Sequence, residues 1–474
     1  MYLYLLVLFF LIQLFFTYKI FDKKLINPVV IFSFMYFISC LSAVYNVKNW
    51  NIKIVPQTFL ILTLGSLEFA LIGYLIKKYF EKKYNSIPKN VIKTNKSNHK
   101  TIIFLISLYS IICIMLLIYN VLKIARVTGD FNSFSEALAI FKTQTSYSNS
   151  ISIPHYLNLM FKIPELSSYI FIYVFFKKIY SSSNKNIFYA IYSNLYYLLV
   201  PFLYIIKELL SSSRITILQL TFASITFGFF IWYQKNNWKK NINYKFIIAF
   251  LITGLIGLSG FYFSASLIGR SNTKNIIEYI TMYSGGSIEC LNQYIQYPNP
   301  VDESTIIGNE TFYPLIRSLD KYGITNCDID SKQTAHLSFR YYNDTMIGNV
   351  YTAYRRWHHD FGYIGLIILN AVMSLIINYC YYSFKYKFNQ SKWEFLFILY
   401  GYISYSIFLH PIDSYFYTTI FQITFLTNII LFLMLYILIL KLNFDFNNRQ
   451  VYYDNTKINK ELLRNFKRFW GNRK

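Results

Sequence analysis

Residues 417–440 read YTTIFQITFLTNIILFLMLYILIL, a run of 24 residues without one charged side chain. A helix needs about 20 consecutive apolar residues to cross the ~30 Å hydrocarbon core of a bilayer. A soluble protein could not hide so long an apolar segment inside helices of ordinary length. The stretch therefore predicts a transmembrane helix and decides the fold class of the chain.

The composition of the whole chain also indicates a membrane protein. Of the 474 residues, 55% are hydrophobic, 20% aromatic and only 14% charged, whereas soluble proteins contain about 25% charged residues. These values exclude a disordered chain, a secreted disulfide-rich scaffold and a conventional cytosolic enzyme. The net charge of +24 could suggest nucleic-acid binding, but the basic residues lie between apolar runs. Anionic membrane lipids are the expected partner instead, and no nucleic acid is expected.

The chain contains eleven apolar runs that are long enough to span a bilayer. They predict an all-α polytopic membrane protein with about 11 transmembrane helices. The runs cover residues 2–17, 25–44, 55–76, 101–121, 157–176, 187–206, 215–233, 246–268, 361–382, 393–410 and 417–440.

The distribution of basic residues predicts the orientation, because Lys and Arg are enriched in cytoplasmic segments. With the N-terminus outside, the inner segments hold 30 of the 46 Lys and Arg residues. An N-out, C-in chain is therefore expected. The predicted regions are eight helices within 1–268 with an outer-surface segment at 124–155, an extracytoplasmic loop at 269–360, three helices within 361–440, and a basic cytoplasmic tail at 441–474.

The 269–360 loop is too long for a simple connection. It contains many aromatic residues and two cysteines, Cys290 and Cys327, so we expect a folded functional cap. Both cysteines lie on the side where oxidation is permitted, and either a disulfide or two buried thiols would fit.

Four arginines lie at the predicted outer ends of helices, where a charge at membrane depth usually has a function. Arg214 opens the seventh helix, Arg270 follows the eighth, and Arg355 and Arg356 precede the ninth. Guanidinium groups offer paired donors to phosphate oxygens, so these arginines could share a phosphate or pyrophosphate site. Alternatively, each arginine extends separately to lipid headgroups.

The densest polar stretch is residues 348–362, GNVYTAYRRWHHDFG. Either His358 or His359 could act as a general base that is oriented by Asp360. Two adjacent histidines on a helix cannot point at one centre, so at most one of them is expected to be catalytic. Asp360 could instead cap the ninth helix. No metal or cofactor is expected, because adjacent histidines lack the one-turn spacing of helix-borne ligands.

This layout resembles the Wzy-type O-antigen polymerases, a family of oligosaccharide repeat unit polymerases. The likeness covers nearly the whole chain and includes the number of helices, the Ser-Ser-Ser-Arg turn at 211–214 and the late extracytoplasmic loop. It also includes YSGGS at 283–287, NVYT at 349–352 and DFG at 360–362.

The resemblance implies a glycosyltransferase of GT-C-like architecture in the bacterial inner membrane, with its active site facing the periplasm. In lipopolysaccharide or other surface polysaccharide biosynthesis, it would transfer a growing glycan from undecaprenyl pyrophosphate to the non-reducing end of another lipid-linked repeat unit. A chain-length regulator is a further partner that the resemblance leaves open.

The resemblance also suggests roles for the residues singled out above. The four arginines would stabilise the leaving pyrophosphate without a metal. His359, in preference to His358, would deprotonate the acceptor hydroxyl, and Asp360 would position it. Three aromatic side chains could stack on sugar rings, although packing is their commoner use: Tyr351, Tyr354 and Trp357.

Three other functions stay open. An O-antigen ligase would use the same donor and would differ only in its acceptor, the lipid A core. A transporter or flippase for lipid-linked sugars should carry charges through the depth of a central cavity, whereas the charges here gather at one end. A non-enzymatic assembly scaffold would tolerate the loss of Arg214 or His359.

Overall fold

A computed structural model shows a mostly helical chain, with two short two-stranded antiparallel sheets in the part of the chain that it describes. The structure describes residues 1–84, 86–87, 99–147, 153–181, 187–211, 213–241, 244–267, 275–298, 307–324, 337–388, 391–445 and 450–453. Arg270, Cys327 and most of the predicted cytoplasmic tail lie outside these residues.

The helices and strands are numbered in chain order. The helices are α1 (Tyr2–Ile20), α2 (Pro28–Tyr45), α3 (Val47–Trp50), α4 (Pro56–Lys83), α5 (Lys100–Thr128), α6 (Phe134–Lys142), α7 (His155–Met160), α8 (Lys162–Ser181), α9 (Ile187–Tyr192), α10 (Leu199–Leu210), α11 (Ile215–Lys235), α12 (Tyr244–Leu267), α13 (Ile276–Gln296), α14 (Tyr313–Lys321), α15 (Ala353–Lys387), α16 (Ser391–Ile403), α17 (Tyr405–Phe408), α18 (Tyr415–Ile420) and α19 (Ile423–Leu440). A π-helical turn covers Thr143–Tyr147 and a 3-10 turn covers Leu195–Leu198. The strands are β1 (Arg340–Tyr342), β2 (Thr345–Gly348), β3 (Leu442–Asp445) and β4 (Gln450–Tyr453).

Eight helices within the described ranges are long and apolar enough to cross a membrane, so the prediction of a helical multi-pass membrane protein is confirmed. These segments are Tyr2–Ile20, Pro28–Tyr45, Pro56–Lys83, Lys100–Val127, His155–Ser181, Ile215–Lys235, Ala353–Lys387 and Ile423–Leu440. Two further apolar helices are shorter, Leu251–Ala265 and Trp393–Phe408. The number of eleven crossings therefore stays a prediction.

The predicted run at 187–206 is not one continuous helix. The chain turns after α9, where the Asn194 side chain donates to the Ala190 carbonyl at 2.7 Å. Pro201 has no backbone N–H and fits only the first turn of a helix, so a new helix, α10, begins at Leu199.

Helices α4 and α15 form the most extensive helix pair of the bundle. Asn370 donates to the Gly65 carbonyl at 2.8 Å and to Glu68 Oε2 at 2.7 Å, and Ser374 Oγ donates to the Phe69 carbonyl at 2.9 Å. Small and polar residues at such an interface let two helices approach closely inside a membrane. This contact fixes α15, and with it the polar stretch at its N-terminal end.

Helix α15 is broken at Gly362. The backbone there has φ +63° and ψ −158°, a conformation that glycine adopts without a steric penalty. Residues 353–361 form a short helix before the break, buried over 353–357, and the long apolar part of α15 follows it. The break lies one residue beyond the predicted start of the ninth transmembrane helix at 361.

The described part of the 269–360 loop is folded and contains α13, α14 and the β1–β2 hairpin. The hairpin departs from the purely helical prediction. Its strands are antiparallel, with Arg340 opposite Gly348 and Tyr342 opposite Thr345. Cys290 is a free, buried thiol on α13, and its Sγ lies 3.6 Å from the Gly348 carbonyl oxygen.

The outer-surface segment at 124–155 contains the predicted short helix, α6. Its first residues, 124–128, instead extend α5. Ser133 caps α6 by accepting from the Glu136 N–H at 3.3 Å. Leu138 and Phe141 pack into a separate apolar cluster with Cys113 and Leu117 of α5. Two of the apolar residues of α6 are therefore used to attach it to α5.

Helix α13 packs directly against the backbone of α2. Its first turn is capped by Asn275, whose side chain accepts from the Glu278 N–H at 2.9 Å. Further along, Ser284 Oγ donates to Ser42 Oγ at 2.8 Å. A Cβ atom at Gly285 would lie 2.5 Å from backbone atoms of Ser42 and Ala43. The absence of a side chain at Gly285 thus allows α13 to lie against the end of α2.

Replacing Gly285 by alanine should separate these two helices. We expect Gly285→Ala to destabilise the protein by about 1–3 kcal/mol, because overpacking against a fixed backbone forces a shift. The measurement is the melting temperature of the purified protein in detergent. Gly254→Ala in α12 is the matched control, because its Cβ would meet nothing within 4 Å. Equal melting temperatures for Gly285→Ala and the wild type would contradict the close contact.

Candidate functional site

The polar stretch before Gly362 is buried at a junction of several elements. The Ala353 N–H donates to the His410 carbonyl at 3.0 Å, and the Trp357 indole donates to Ser414 Oγ at 2.8 Å. Arg355 and Arg356 are each only 1% exposed. The sequence correctly singles out this stretch as unusual, but its polar groups face other parts of the protein.

Arg356 forms a two-pronged ion pair with Asp413. Its Nε lies 2.6 Å from Asp413 Oδ1 and its second terminal nitrogen lies 3.0 Å from Oδ2. The first terminal nitrogen donates to the Glu310 carbonyl at 3.2 Å. This fork geometry is the strongest arrangement of a guanidinium with a carboxylate, so the charge of Arg356 is already balanced within the protein.

Arg355 is balanced by the Glu310 carboxylate, with which it forms an ion pair. Its guanidinium also lies over the rings of Tyr294, at 4.8 Å, and Tyr351, at 5.3 Å. Two of the four arginines expected to bind pyrophosphate therefore already have carboxylate partners. A diphosphate would have to displace these carboxylates in order to bind here.

The two adjacent histidines have different surroundings. His359 contacts the Tyr294 hydroxyl through Nδ1 at 3.3 Å and Glu310 Oε1 through Nε2 at 3.4 Å. His358 packs its ring 4.6 Å from that of Tyr363, and its Nδ1 is buried without a hydrogen-bond partner. Both ring nitrogens of the preferred base are therefore occupied by protein groups.

Asp360 does not orient either histidine. Its carboxylate accepts from the backbone N–H groups of Glu310, at 3.3 Å, and Thr311, at 2.6 Å. Asp360 thereby holds the turn that carries Glu310, and Glu310 is the carboxylate beside His359. The structure thus departs from both expectations for Asp360, as partner of a base and as cap of the ninth helix.

The three aromatic residues expected to stack on sugars are completely buried. Tyr351, Tyr354 and Trp357 are each 0% exposed. The Tyr351 hydroxyl donates to the Ser338 carbonyl at 2.8 Å and accepts from Arg340 Nε at 3.1 Å. Since no ring face is open to a ligand, their function in this structure is packing.

Arg214 has a different environment from Arg355 and Arg356, the other two candidate arginines within the described residues. It is 6% exposed and donates to the hydroxyls of Tyr279, at 2.6 Å, and Tyr283, at 3.4 Å. It also donates to the Phe261 carbonyl at 3.4 Å and lies over the Phe261 ring at 4.5 Å. Every one of these groups is neutral, and no described carboxylate forms an ion pair with Arg214. Burial of a charge without a counter-charge is costly, so this guanidinium is the one suited to receive an anion.

Arg214 and His359 do not share one centre. Both contact α13, Arg214 at Tyr283 and His359 at Tyr294. These two tyrosines are eleven residues apart, which is about 16 Å along the helix axis at 1.5 Å per residue. Ser287 and Cys290 lie on this face between the two tyrosines, and both are 0% exposed. Packed protein therefore separates the two sites, contrary to the expected convergence of arginine and histidine. The fourth arginine, Arg270, lies outside the described residues.

An apolar groove lies between α4 and α15, beside the histidines. Its volume is about 490 Å³, and Tyr363 at its edge is the residue that packs on His358. Leu60, Leu64 and Ile367 in its wall are exposed, as expected for side chains that face lipid. The groove is lined by Gln57, Leu60, Ile61, Leu64, Gly65, Glu68, Tyr363, Leu366 and Ile367.

Several residues of these sites have no clear signal in the sequence. Glu310 pairs with Arg355 and Asp413 pairs with Arg356, across 45 and 57 residues of sequence, and sequence spacing does not predict such contacts. Tyr283 is the first residue of the YSGGS motif and Tyr279 lies one helical turn before it, so helical periodicity alone places these two side chains on one face.

No group of three or more His, Cys, Asp or Glu side chains within the described ranges is placed to hold a metal ion. Comparison with known proteins adds no relative: no family model, curated protein or solved structure matches this chain. The likeness to the O-antigen polymerases therefore depends on the layout and short motifs alone.

Breaking the Arg356–Asp413 pair should destabilise the junction. Asp413→Asn leaves a buried guanidinium without its counter-charge, and we expect a loss of about 3–5 kcal/mol. The melting temperature of the purified protein measures it. Asp130→Asn, at an exposed position after α5, should behave like the wild type. Equal melting temperatures of Asp413→Asn and the wild type would mean that the Arg356–Asp413 pair contributes nothing to the free energy of unfolding.

We expect Glu289 to make the stability of the protein depend on pH. Its buried carboxylate accepts from Asn292 at 3.0 Å and Gln293 at 3.2 Å. Burial raises the pKa of this carboxyl group from 4.5 to about 7. Between these pH values the folded protein keeps a proton that the unfolded chain releases, so the free energy of unfolding falls as the pH rises.

Glu289→Gln should remove this dependence. At pH 5 the variant and the wild type should unfold at similar temperatures, because the wild-type carboxyl is protonated in the folded state. At pH 8 the variant should be more stable by up to about 3 kcal/mol. Thermal unfolding at the two pH values provides the measurement, with Asp344→Asn in the exposed hairpin turn as control. A difference in unfolding temperature between Glu289→Gln and the wild type that is the same at both pH values would contradict the raised pKa of Glu289.

Proposed function

We propose that this chain is a surface polysaccharide polymerase of the bacterial inner membrane. It would transfer a growing glycan from undecaprenyl pyrophosphate to the non-reducing end of a second lipid-linked repeat unit. In this proposal the chain crosses the membrane eleven times with its N-terminus outside, and Arg214 is at the periplasmic end of the bundle.

The observation that carries the proposal is the buried guanidinium of Arg214, which has only neutral partners among the described residues. A pyrophosphate would supply the missing negative charge. Two tyrosine hydroxyls hold the guanidinium in place before the ligand arrives, so little reorganisation is needed when charge develops on the leaving group. This arrangement favours an enzyme that expels pyrophosphate over a scaffold.

The apolar groove between α4 and α15 also supports a lipid-linked substrate. It suits one prenyl chain, because exposed aliphatic side chains form its wall. A polymerase must hold two lipid-borne chains at once, with the two carriers separated by the length of a repeat unit. The groove beside His358 and the Arg214 site are separate places, which fits a donor carrier at Arg214 and an acceptor carrier at the groove.

In the reaction, an acceptor hydroxyl oxygen would form a bond to the anomeric carbon of the donor glycan. The bond from this carbon to the pyrophosphate oxygen breaks, and its electron pair leaves with the pyrophosphate. Arg214 would stabilise the charge that develops on this oxygen. The distance of about 16 Å along α13 argues against His359 as the base for a reaction at Arg214, and the proton of the acceptor hydroxyl would be released to solvent water.

The test is complementation of a deletion strain. Deleting the gene should reduce the surface glycan from a ladder to a single repeat unit, and the wild-type gene should restore the ladder. Arg214→Ala should fail to restore it, with chain extension reduced by about 10²–10³-fold. Arg214→Lys should restore it in part, because it keeps the charge and loses the fork.

Arg317→Ala is the matched control, since Arg317 is exposed on α14 in the same predicted loop. Immunoblots of membranes should show equal amounts of all variants. A normal ladder from Arg214→Ala would contradict the role of Arg214. A deletion strain that keeps its ladder would contradict the function, and one that loses even the single capped unit would indicate the ligase instead.

A further inference from the structure

A polar pocket of about 320 Å³ lies between the end of α2, helix α13 and the β1–β2 hairpin. It is separate from the apolar groove and shares no residue with it. Asn49 and Thr345 at its rim are exposed, whereas Trp50 is 3% exposed at its floor. The pocket is lined by Asn46, Asn49, Trp50, Glu278, Met282 and Thr345.

The lining suits a ligand with many hydroxyl groups. Two asparagine amides, a carboxylate and a hydroxyl supply both donors and acceptors. The amide of Asn46 is held in place, because its Nδ2 donates to the Ser42 carbonyl at 3.1 Å. Trp50 and Met282 add an apolar surface for the C–H face of a sugar ring. A few fixed polar groups above an apolar floor are typical of specific small-ligand sites.

The charge of the lining narrows the class of ligand. Glu278 is the charged residue of the pocket, and no basic residue lines it. Glu278 forms no ion pair with any residue that the structure describes. A phosphate or an acidic sugar would be repelled by this carboxylate, whereas a neutral sugar can donate hydroxyl groups to it. The lining therefore favours a neutral sugar over an anionic one.

The pocket lies at the same level of α13 as Arg214. Glu278 and Met282 are one turn apart and face the pocket, whereas Tyr279 and Tyr283 are on the adjoining face and contact Arg214. Successive residues of a helix differ by 100° around its axis. One helical segment thus carries a cationic site on one face and a hydroxyl-binding pocket on the next.

We propose that this pocket binds one neutral sugar residue of the lipid-linked glycan whose pyrophosphate is held at Arg214. The identity of the ligand as a lipid-linked glycan rests on the proposed function. Its class, a neutral sugar with many hydroxyl groups, rests on the lining of the pocket alone. The pocket would determine which repeat unit is accepted, while Arg214 would bind the part that all such substrates share.

The test uses the full-length protein in nanodiscs and neutral oligosaccharides released by mild acid from the surface polysaccharide of the same bacterium. Saturation-transfer NMR and titration should detect binding to the wild type. Thr345→Trp should fill the pocket from its rim and weaken binding at least tenfold. Met346→Trp is the matched control, because neighbouring residues of a strand point to opposite faces and Met346 is exposed. It should bind like the wild type.

The outcomes separate the pocket from the proposed function. No binding to the wild type, or equal binding by Thr345→Trp, would overturn the pocket as a sugar site, even if chain extension depends on Arg214. Binding to the wild type that Thr345→Trp abolishes would support the pocket as a sugar site. This conclusion would hold even if deletion of the gene left the glycan ladder of the bacterium unchanged. Inorganic pyrophosphate is a control probe: it should not compete with the oligosaccharide in the pocket, and full competition would overturn the separation of the two subsites.

Discussion

The close contact between α13 and α2 at Gly285 sets the position of the helix that borders the Arg214 site, the polar pocket and the His359 junction. With no side chain at this position, α13 rests on the backbone of Ser42 and Ala43. The same helix then presents tyrosines to Arg214 near its start and Tyr294 to the His359 junction near its end. A shift of this helix would change the distance between these sites and the shape of the polar pocket, so its position is the constraint on which the proposed chemistry depends.

Charge balance distinguishes arginines that the sequence alone cannot tell apart. Arg355 and Arg356 are neutralised by Glu310 and Asp413 and serve the packing of the junction. Arg214 is equally buried, but it is surrounded by hydroxyls, a carbonyl and aromatic rings. Because removal of a charge from water must be compensated, the charges of the first two arginines are balanced without a ligand. The third is suited to a ligand that brings negative charge.

Sequence periodicity and composition predict the architecture well, because the membrane requires long apolar helices. The run at 187–206 is an exception: Pro201 fits only near the start of a helix, and two separate helices form where apolar length alone predicts one. The candidate site was predicted only in part. The stretch at 348–362 is a polar centre, but the partners that set its charge come from Glu310 and Asp413. Trp357, for which the family resemblance suggests stacking on a sugar, is fully buried and donates to Ser414, which is remote in sequence.

The most direct test is a cryo-electron microscopy structure of the protein in nanodiscs with undecaprenyl pyrophosphate. We expect density for the diphosphate within about 3 Å of the Arg214 guanidinium, beside Tyr279 and Tyr283, with the Arg356–Asp413 pair intact. A diphosphate bound by Arg355 and Arg356 after displacement of Glu310 and Asp413 would contradict it. So would an Arg214 that is paired with a carboxylate of the protein itself.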